Sequence, residues 1–292
     1  MPSTLLASLI RIDAWIYVIA LSARRGSIVS HLRSLKIDKR SEVLPAFDKR
    51  RVDFDTVTEM VSNGTVGESY FKRAASERAA WYRRPSQGRL ACALSHLTAM
   101  RTFVRSRHRV GIVLEDDARI SPEWMVSALT MPPPFDVLYL GYCEERCSDQ
   151  AKWIDRGRHF RWREAVFPLC LHGYAVQRPA ARRLLEASLP LEEPIDNTFA
   201  SIAANLSFRS FIALPPAVRQ VRSFTSATHT EVEVLRAGSD TAAKEPRPFK
   251  SRLPGKQFGK HMTCTCKGQT GACAPYASQA RLYTRQEDGE NL

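Results

Sequence analysis

The stretch that most constrains the fold spans residues 111–118, where three apolar residues lead directly into the carboxylates Glu115, Asp116 and Asp117. The apolar half, residues 112–114, is typical of a buried strand. Ionised carboxylates cannot continue into a core without a partner or a metal, so the chain must leave the sheet at this point. The pattern therefore predicts a strand whose carboxyl end presents oxygen ligands.

Oxygen ligands in this position suit a particular kind of site. Open α/β sheets bind their ligands at the carboxyl ends of the strands. Carboxylates prefer hard divalent cations such as Mg²⁺ or Mn²⁺, and these cations usually complete their shell with waters and substrate phosphates. The alternative is a solvated acidic turn that holds no ligand.

The charge of the chain favours contact with anions. Its 43 Lys and Arg residues against 30 Asp and Glu residues give a formal net charge of +13, which suits nucleic acid, an anionic membrane surface or phosphorylated substrates. The hydrophobic content of 44% argues against global disorder. No run approaches the roughly 20 apolar residues of a membrane span, because Arg11 and Asp13 interrupt the apolar stretch near the start.

The seven cysteines show no obvious pairing. An odd count in a chain of this length is not typical of a small disulfide scaffold. Cys264, Cys266 and Cys273 could be zinc ligands, but their spacing fits no standard zinc pair, and free thiols or a local disulfide are the alternatives. Since no signal peptide is convincing, we expect a cytoplasmic protein.

Apolar runs predict that the chain begins with a strand, a helix and a second strand. Residues 15–21 are rich in β-branched and aromatic side chains, as in a fully buried strand of a parallel sheet. We expect a helix capped by Ser27 and ending near Leu35, then a strand over residues 43–47, which completes a βαβ unit. Arg24 and Arg25 therefore lie where a phosphate could bind, or else in a solvated basic turn.

Later segments extend the α/β pattern. Apolar residues at helical spacing predict a helix over residues 88–104, and shorter helices are expected after Ser121, at 178–185 and at 199–205. Strands are predicted at 135–141 and 211–216, with an exposed loop or hairpin between 142 and 163. From about residue 223 the apolar periodicity fades, which indicates one folded domain over residues 12–222 and a basic, cysteine-containing, loosely ordered tail over 223–292.

Four segments together resemble glycosyltransferase family 25, which includes bacterial lipooligosaccharide galactosyl- and glucosyltransferases and collagen galactosyltransferase domains. The most specific is a Cys-x-x-Ser-His helix, with Glu115 of the Glu-Asp-Asp motif following His96 by 19 residues. Ala91 stands where the family has a glycine, and Ala20 and Ala23 where it often has polar residues, which affects the donor's sugar more than the fold. The four segments are residues 18–25, 44–48, 88–96 and 114–117, and similar segments follow in order at 135–141, 173–176, 194–196 and 215–220.

The resemblance implies an α/β, GT-A-like, Rossmann-type nucleotide-sugar transferase fold with a mainly parallel central sheet flanked by helices. Residues 12–222 would then form the catalytic domain of a hexosyltransferase in LPS or other glycan biosynthesis. It would move galactose or glucose from a UDP-sugar to a hydroxyl acceptor on a glycan, glycolipid or protein, with Mn²⁺ or Mg²⁺ as cofactor.

The resemblance also assigns roles to particular residues. Asp117 is a metal ligand and a catalytic residue, Asp196 is the candidate acceptor-side base, and His172 is a candidate extra metal ligand. The Ser-His pair on the helix could instead serve packing. The implied donor-binding residues are Arg24, Arg25, Ala46, Ser95, His96, Glu115 and Asp116, of which the last two also count as metal ligands.

Two other functional classes stay open. A degenerate, non-catalytic glycosyltransferase-like binding protein is one. A metal-dependent phosphoryl-transfer enzyme is the other, but a two-metal site needs further acidic ligands, and only Asp136 and Asp196 are candidates. The positive charge suits an anionic glycolipid acceptor or peripheral contact with an anionic membrane, and we expect no specific binding of nucleic acid.

Overall fold

The computed structural model describes residues 13–73, 87–121, 133–143, 153–154 and 161–221. The helix predicted after Ser121 and the tail from residue 223 lie outside these residues. The division of the chain into a domain over 12–222 and a tail over 223–292 therefore stays a prediction.

The chain opens with the expected βαβ unit. Strand β1 (Ala14–Ala20) leads into helix α1 (Arg25–Ser34), and β2 (Ser41–Pro45) returns beside β1 in parallel. The helix begins two residues before Ser27, which does not cap it. The Ser27 hydroxyl instead accepts a hydrogen bond from the Arg119 guanidinium at 2.7 Å.

The strands and helices that were predicted within the described residues form within four residues of their predicted bounds. Two short 3₁₀ turns lie at Asp38–Arg40 and Lys49–Arg51. The remaining helices are α2 (Phe54–Ser62), α3 (Glu68–Arg73), α4 (Gln87–Arg105), α5 (Arg178–Ala187) and α6 (Ile195–Asn205). The remaining strands are β3 (Val110–Glu115), β4 (Ala118–Ile120), β5 (Val137–Gly141), β6 (Trp153–Ile154), β7 (Arg161–Glu164), β8 (Gly173–Gln177), β9 (Ser210–Leu214) and β10 (Val218–Gln220).

Eight strands form the central sheet in the order β2-β1-β3-β8-β5-β9-β7-β6, while β4 and β10 pair separately. The pairings give six strands one direction and turn β8 and β7 the other way. The prediction of an α/β fold with helices around a central sheet is confirmed, and the sheet that was predicted to be mainly parallel is a mixed one, with six strands in one direction and two in the other. Apolar content marked the β8 region without giving its direction, since the same run of residues suits either orientation.

The two faces of the sheet are covered by different helices, as the alternation of side chains along β1 requires. Ile16 and Val18 pack with Ile28 of α1 in one buried cluster. Tyr17 packs with Phe103 of α4 in the other cluster, which also includes side chains of α5 and α6. Because helices cover both faces of the sheet, a ligand site can form at the ends of the strands. Within the described residues, no helix is both long and apolar enough to cross a membrane.

Candidate active site

The acidic motif lies at the carboxyl end of β3, as predicted. Glu115 is the last residue of β3, and Asp116 and Asp117 form the turn into β4. Strand β10 pairs with β4 in antiparallel register and brings the end of the described chain to the motif. The fold sends the three carboxylates in three different directions.

Asp116 ties the motif to the turn between β1 and α1. One carboxylate oxygen accepts a hydrogen bond from the Leu21 backbone N–H at 2.8 Å, and the other accepts one from the Arg24 guanidinium at 3.2 Å. Asp116 itself is buried. The predicted phosphate contact Arg24 and the predicted ligand Asp116 are therefore brought together as an ion pair.

Asp117 has one carboxylate oxygen with a partner and one without. Its Oδ2 accepts a hydrogen bond from the Gln220 amide at 3.0 Å, while its Oδ1 is buried and has no hydrogen-bond partner among the described residues. Burial, and then the neighbouring Glu115 carboxylate, raises the pKa of Asp117 to about 7. A buried carboxylate oxygen with no donor is costly unless a proton or a cation supplies the missing interaction.

His172 presents a second polar atom of this kind. Its Nε2 lies 3.3 Å from the carbonyl oxygen of Val218, and since a carbonyl only accepts, Nε2 carries the proton. Nδ1 then holds a lone pair, and it is buried with no partner in the described part of the chain. Burial lowers the pKa of His172, which favours the neutral ring that binds metals.

Strand β10 links these two residues. His172 contacts Val218, and Asp117 contacts Gln220, two residues further along the strand. This spacing corresponds to about 7 Å of extended chain. The backbone carbonyl of His172 also accepts a hydrogen bond from the Glu115 N–H at 3.2 Å, so the histidine lies directly beside the acidic motif.

Glu115 turns away from Asp117 toward helix α4. Its Oε1 accepts a hydrogen bond from His96 Nε2 at 3.1 Å, and the Cys92 thiol lies 3.9 Å from the same oxygen. His96 Nδ1 lies 3.3 Å from the Tyr174 hydroxyl, which completes a buried chain of polar groups. Burial opposes ionisation of Glu115, but the hydrogen bond from His96 holds its pKa below the usual value.

Cys92, His96 and Glu115 each offer a donor atom, and the three atoms lie within 4.8 Å of one another. A metal could be held there, but the hydrogen bonds described above already satisfy the Glu115 and His96 atoms. Burial and the charge of Glu115 raise the pKa of the Cys92 thiol well above its usual value, so the thiol is protonated. The cluster is therefore explained as a polar network that fixes Glu115.

Ser95 and Ala46 hold the end of β2. The Ser95 hydroxyl donates to the Ala91 carbonyl at 2.7 Å and accepts from the Phe47 N–H at 2.9 Å. The Ala46 N–H donates to the Ala20 carbonyl at 2.9 Å. Their predicted role in donor binding stays a prediction. What the structure gives them is a role in positioning the chain beside β1. Arg25, the first residue of α1, is exposed at the same edge.

Asp196 supports the loop that precedes β8. One of its oxygens accepts from the Cys170 N–H at 3.1 Å and the other from the Asn197 N–H at 2.9 Å. Cys170 also forms a disulfide with Cys143, with 5.5 Å between the two Cα atoms. This pairing was not evident from the sequence. The two partners are 27 residues apart in sequence, and only the fold brings them together.

Asp136, the other acidic residue considered for a two-metal site, lies at the amino ends of the strands, opposite the end that carries the acidic motif. It precedes β5, which runs in the same direction as β3, and its carboxylate accepts hydrogen bonds from Arg209. Sequence reasoning assigned no role to Gln220, Tyr174 or Cys92. All three fall within the segments that resembled the family, and this was the available signal for them.

Comparison with known proteins gives one match. The model of glycosyltransferase family 25, described as an LPS biosynthesis protein family, matches residues 16–199 of the 292 in the chain. The match includes the acidic motif, His172 and Asp196, and it ends before β10. No curated protein matches the chain.

Proposed function

Because the chain belongs to glycosyltransferase family 25, we propose that it moves a hexose, galactose or glucose, from a UDP-sugar to a hydroxyl acceptor. Membership makes the chain a glycosyltransferase with a sugar donor and a glycan acceptor, and the family's part in LPS biosynthesis favours a lipid-linked saccharide over a protein acceptor. The observation that carries the proposal is the buried Oδ1 of Asp117 at the carboxyl end of a central strand, for which the described residues supply no hydrogen-bond partner.

Asp117 and His172 are the residues that we expect to hold Mn²⁺ or Mg²⁺. Each offers a buried atom that has no partner within the described ranges, and a carboxylate oxygen with a neutral imidazole nitrogen is a suitable donor set for a divalent cation. Glu115 and Asp116 complete the acidic motif, and we place them mainly as residues that orient Asp117, since both already accept hydrogen bonds. A bound cation would neutralise charge on the diphosphate leaving group.

The diphosphate itself would meet the amino end of α1. The helix dipole favours anions there. Arg25 begins this helix, and Arg24 lies beside it, held by Asp116. Guanidinium groups match phosphate oxygens in shape and charge, so this turn is well suited to orient a nucleotide sugar.

Asp196 remains our candidate for the base that takes the acceptor proton. Each of its oxygens accepts one backbone N–H, but a carboxylate offers about four lone-pair sites, so a further contact is open to it. Its charge contributes to the raised pKa of the Cys92 thiol, which supports a place on the α4 side of the motif.

Cytoplasmic localisation with peripheral contact to an anionic membrane also stays a proposal. The net charge of +13 supports membrane contact. The disulfide weighs against a reducing compartment, because such bonds persist mainly in oxidising ones. Sedimentation with anionic vesicles tests the contact, and thiol labelling of the protein in intact cells tests the compartment.

The decisive experiment measures UDP release from individual sugar nucleotides, with Mn²⁺ or with EDTA. Slow hydrolysis of the donor needs no knowledge of the acceptor. We expect metal-dependent release from one UDP-hexose by the wild type, loss of release in Asp117→Ala, and retention in the control Asp136→Ala, which removes a carboxylate at the opposite ends of the strands. Release that survives Asp117→Ala would contradict the assignment. Absence of release together with absence of UDP binding by calorimetry would favour the non-catalytic or the phosphoryl-transfer alternative.

A further inference from the structure

Among the described residues, Phe47 is the large hydrophobic side chain that remains exposed, with 43% of its surface accessible. Single exposed apolar residues are common and by themselves mean little. The position and anchoring of Phe47 are what distinguish it. It lies two residues beyond the end of β2, at the edge of the sheet where the acidic motif lies.

The backbone beneath this ring is fixed from two sides. Its own N–H donates to the Ser95 hydroxyl, which is in turn anchored to the Ala91 carbonyl within α4. The preceding N–H, of Ala46, donates to the Ala20 carbonyl at the end of β1. An exposed aromatic ring on a held backbone is preorganised, so binding against it orders little of the chain.

The backbone that carries the ring lies at the same ends of the strands as the turn assigned above to phosphate binding. Parallel neighbouring strands lie about 4.8 Å apart, so the ends of β1 and β2 are adjacent. The end of β1 continues into the turn that carries Arg24 and Arg25. The next residue after Phe47, Asp48, accepts hydrogen bonds from the Arg50 guanidinium through both carboxylate oxygens, so Phe47 and not Asp48 is the side chain that this segment offers to a ligand.

We propose that Phe47 stacks on the base of the nucleoside diphosphate part of the donor. A nucleoside diphosphate carries a planar base at one end and two phosphates at the other, and this edge offers an aromatic face next to cationic groups. The inference rests on the proposed function and deepens it, because it assigns the contact that holds the base. Stacking is sequence-tolerant, so the ring supplies affinity for a base more than choice among bases.

The main rival use of such a ring is insertion into an anionic membrane, since Lys49 and Arg51 follow it in sequence. Interfacial insertion usually relies on an apolar face with several large side chains. Phe47 stands alone in this respect within the described ranges. The hydrogen bonds of the Phe47 N–H to α4 and of the Ala46 N–H to β1 also hold this backbone against the sheet, unlike that of a protruding loop.

The test compares UDP with inorganic pyrophosphate by calorimetry in Mn²⁺, for the wild type, Phe47→Ala, Phe47→Leu and Phe47→Tyr. We expect UDP affinity to fall on the order of tenfold in the Ala and Leu variants and to be retained in the Tyr variant. Pyrophosphate affinity should be the same in all four proteins, because it lacks a base. Leucine keeps the apolar character and removes the aromatic face, so it separates stacking from simple burial.

Three results would overturn the inference while leaving the proposed function intact. The first is unchanged UDP affinity in Phe47→Ala. The second is an equal loss of affinity for UDP and for pyrophosphate in that variant. The third is a Phe47→Ala protein that still binds UDP but no longer sediments with anionic vesicles. The last would assign the ring to the membrane instead. A wild-type protein that binds neither UDP nor pyrophosphate would overturn both the inference and the proposed function.

Discussion

Replacing Asp117 with asparagine should make the metal-free protein more stable at high pH. Burial and the Glu115 charge raise the pKa of Asp117 from the usual 3.8 to about 7 in the folded protein. Between these two values the folded state holds a proton that the unfolded state releases. The stabilising effect of that proton is complete below the unfolded pKa and is lost as the pH rises through the folded pKa.

The size of the effect follows from the pKa. From pH 5 to a folded pKa near 7 the interval is about two pH units, and each unit corresponds to about 1.4 kcal/mol. The wild type should therefore lose about 3 kcal/mol of unfolding free energy between pH 5 and pH 8 relative to Asp117→Asn. Titrating groups that do not interact with Asp117 cancel in this comparison, because both proteins share them, whereas the interaction of Glu115 with Asp117 is part of the measured difference.

Urea unfolding followed by tryptophan fluorescence, in EDTA at pH 5 and at pH 8, measures this difference directly. When Mn²⁺ and UDP are added at pH 8, the wild type should recover most of this loss, whereas the stability of Asp117→Asn should not change. Ligand at about 100 times its Kd stabilises a protein by about 2.7 kcal/mol, and we expect this gain in the wild type alone. Parallel pH dependence in the two proteins would refute the reasoning, since it would mean that Asp117 is already ionised at pH 5.

Two further substitutions, one of them with a matched control, test the packing around the site. Gly141→Ala should lower the unfolding free energy by about 1–3 kcal/mol, because an added Cβ would lie 2.4 Å from His172 Nε2. Gly26→Ala is the control, because a Cβ added there has no atom within 4 Å, and it should be neutral or stabilising by up to about 1 kcal/mol. Equal effects of the two substitutions in thermal unfolding would contradict the argument. Ser95→Ala should cost about 1 kcal/mol in urea unfolding and weaken UDP binding, since it releases the Phe47 N–H; unchanged values for both would show that Ser95 does not position the ring.

Much of the fold could be predicted from local patterns. The run at the start of the chain gave β1, and the apolar spacing of α4 gave a helix that matches the observed one within a residue at each end. Both predictions succeed because side-chain periodicity reflects which faces are buried. The strand β8 was missed as a strand, since its apolar run is short and does not define its direction or its place between β3 and β5.

The sequence by itself determined that Glu115, Asp116 and Asp117 leave a buried strand at its carboxyl end, because an apolar run cannot carry charges further into a core. It did not determine what each carboxylate does. Glu115 meets His96, Asp116 meets Leu21, and Asp117 meets Gln220, 103 residues further along the chain. Only the tertiary structure decides such partners, because they come from strand order and helix packing, and the direction of each side chain at a turn depends on which distant group stands there to receive it.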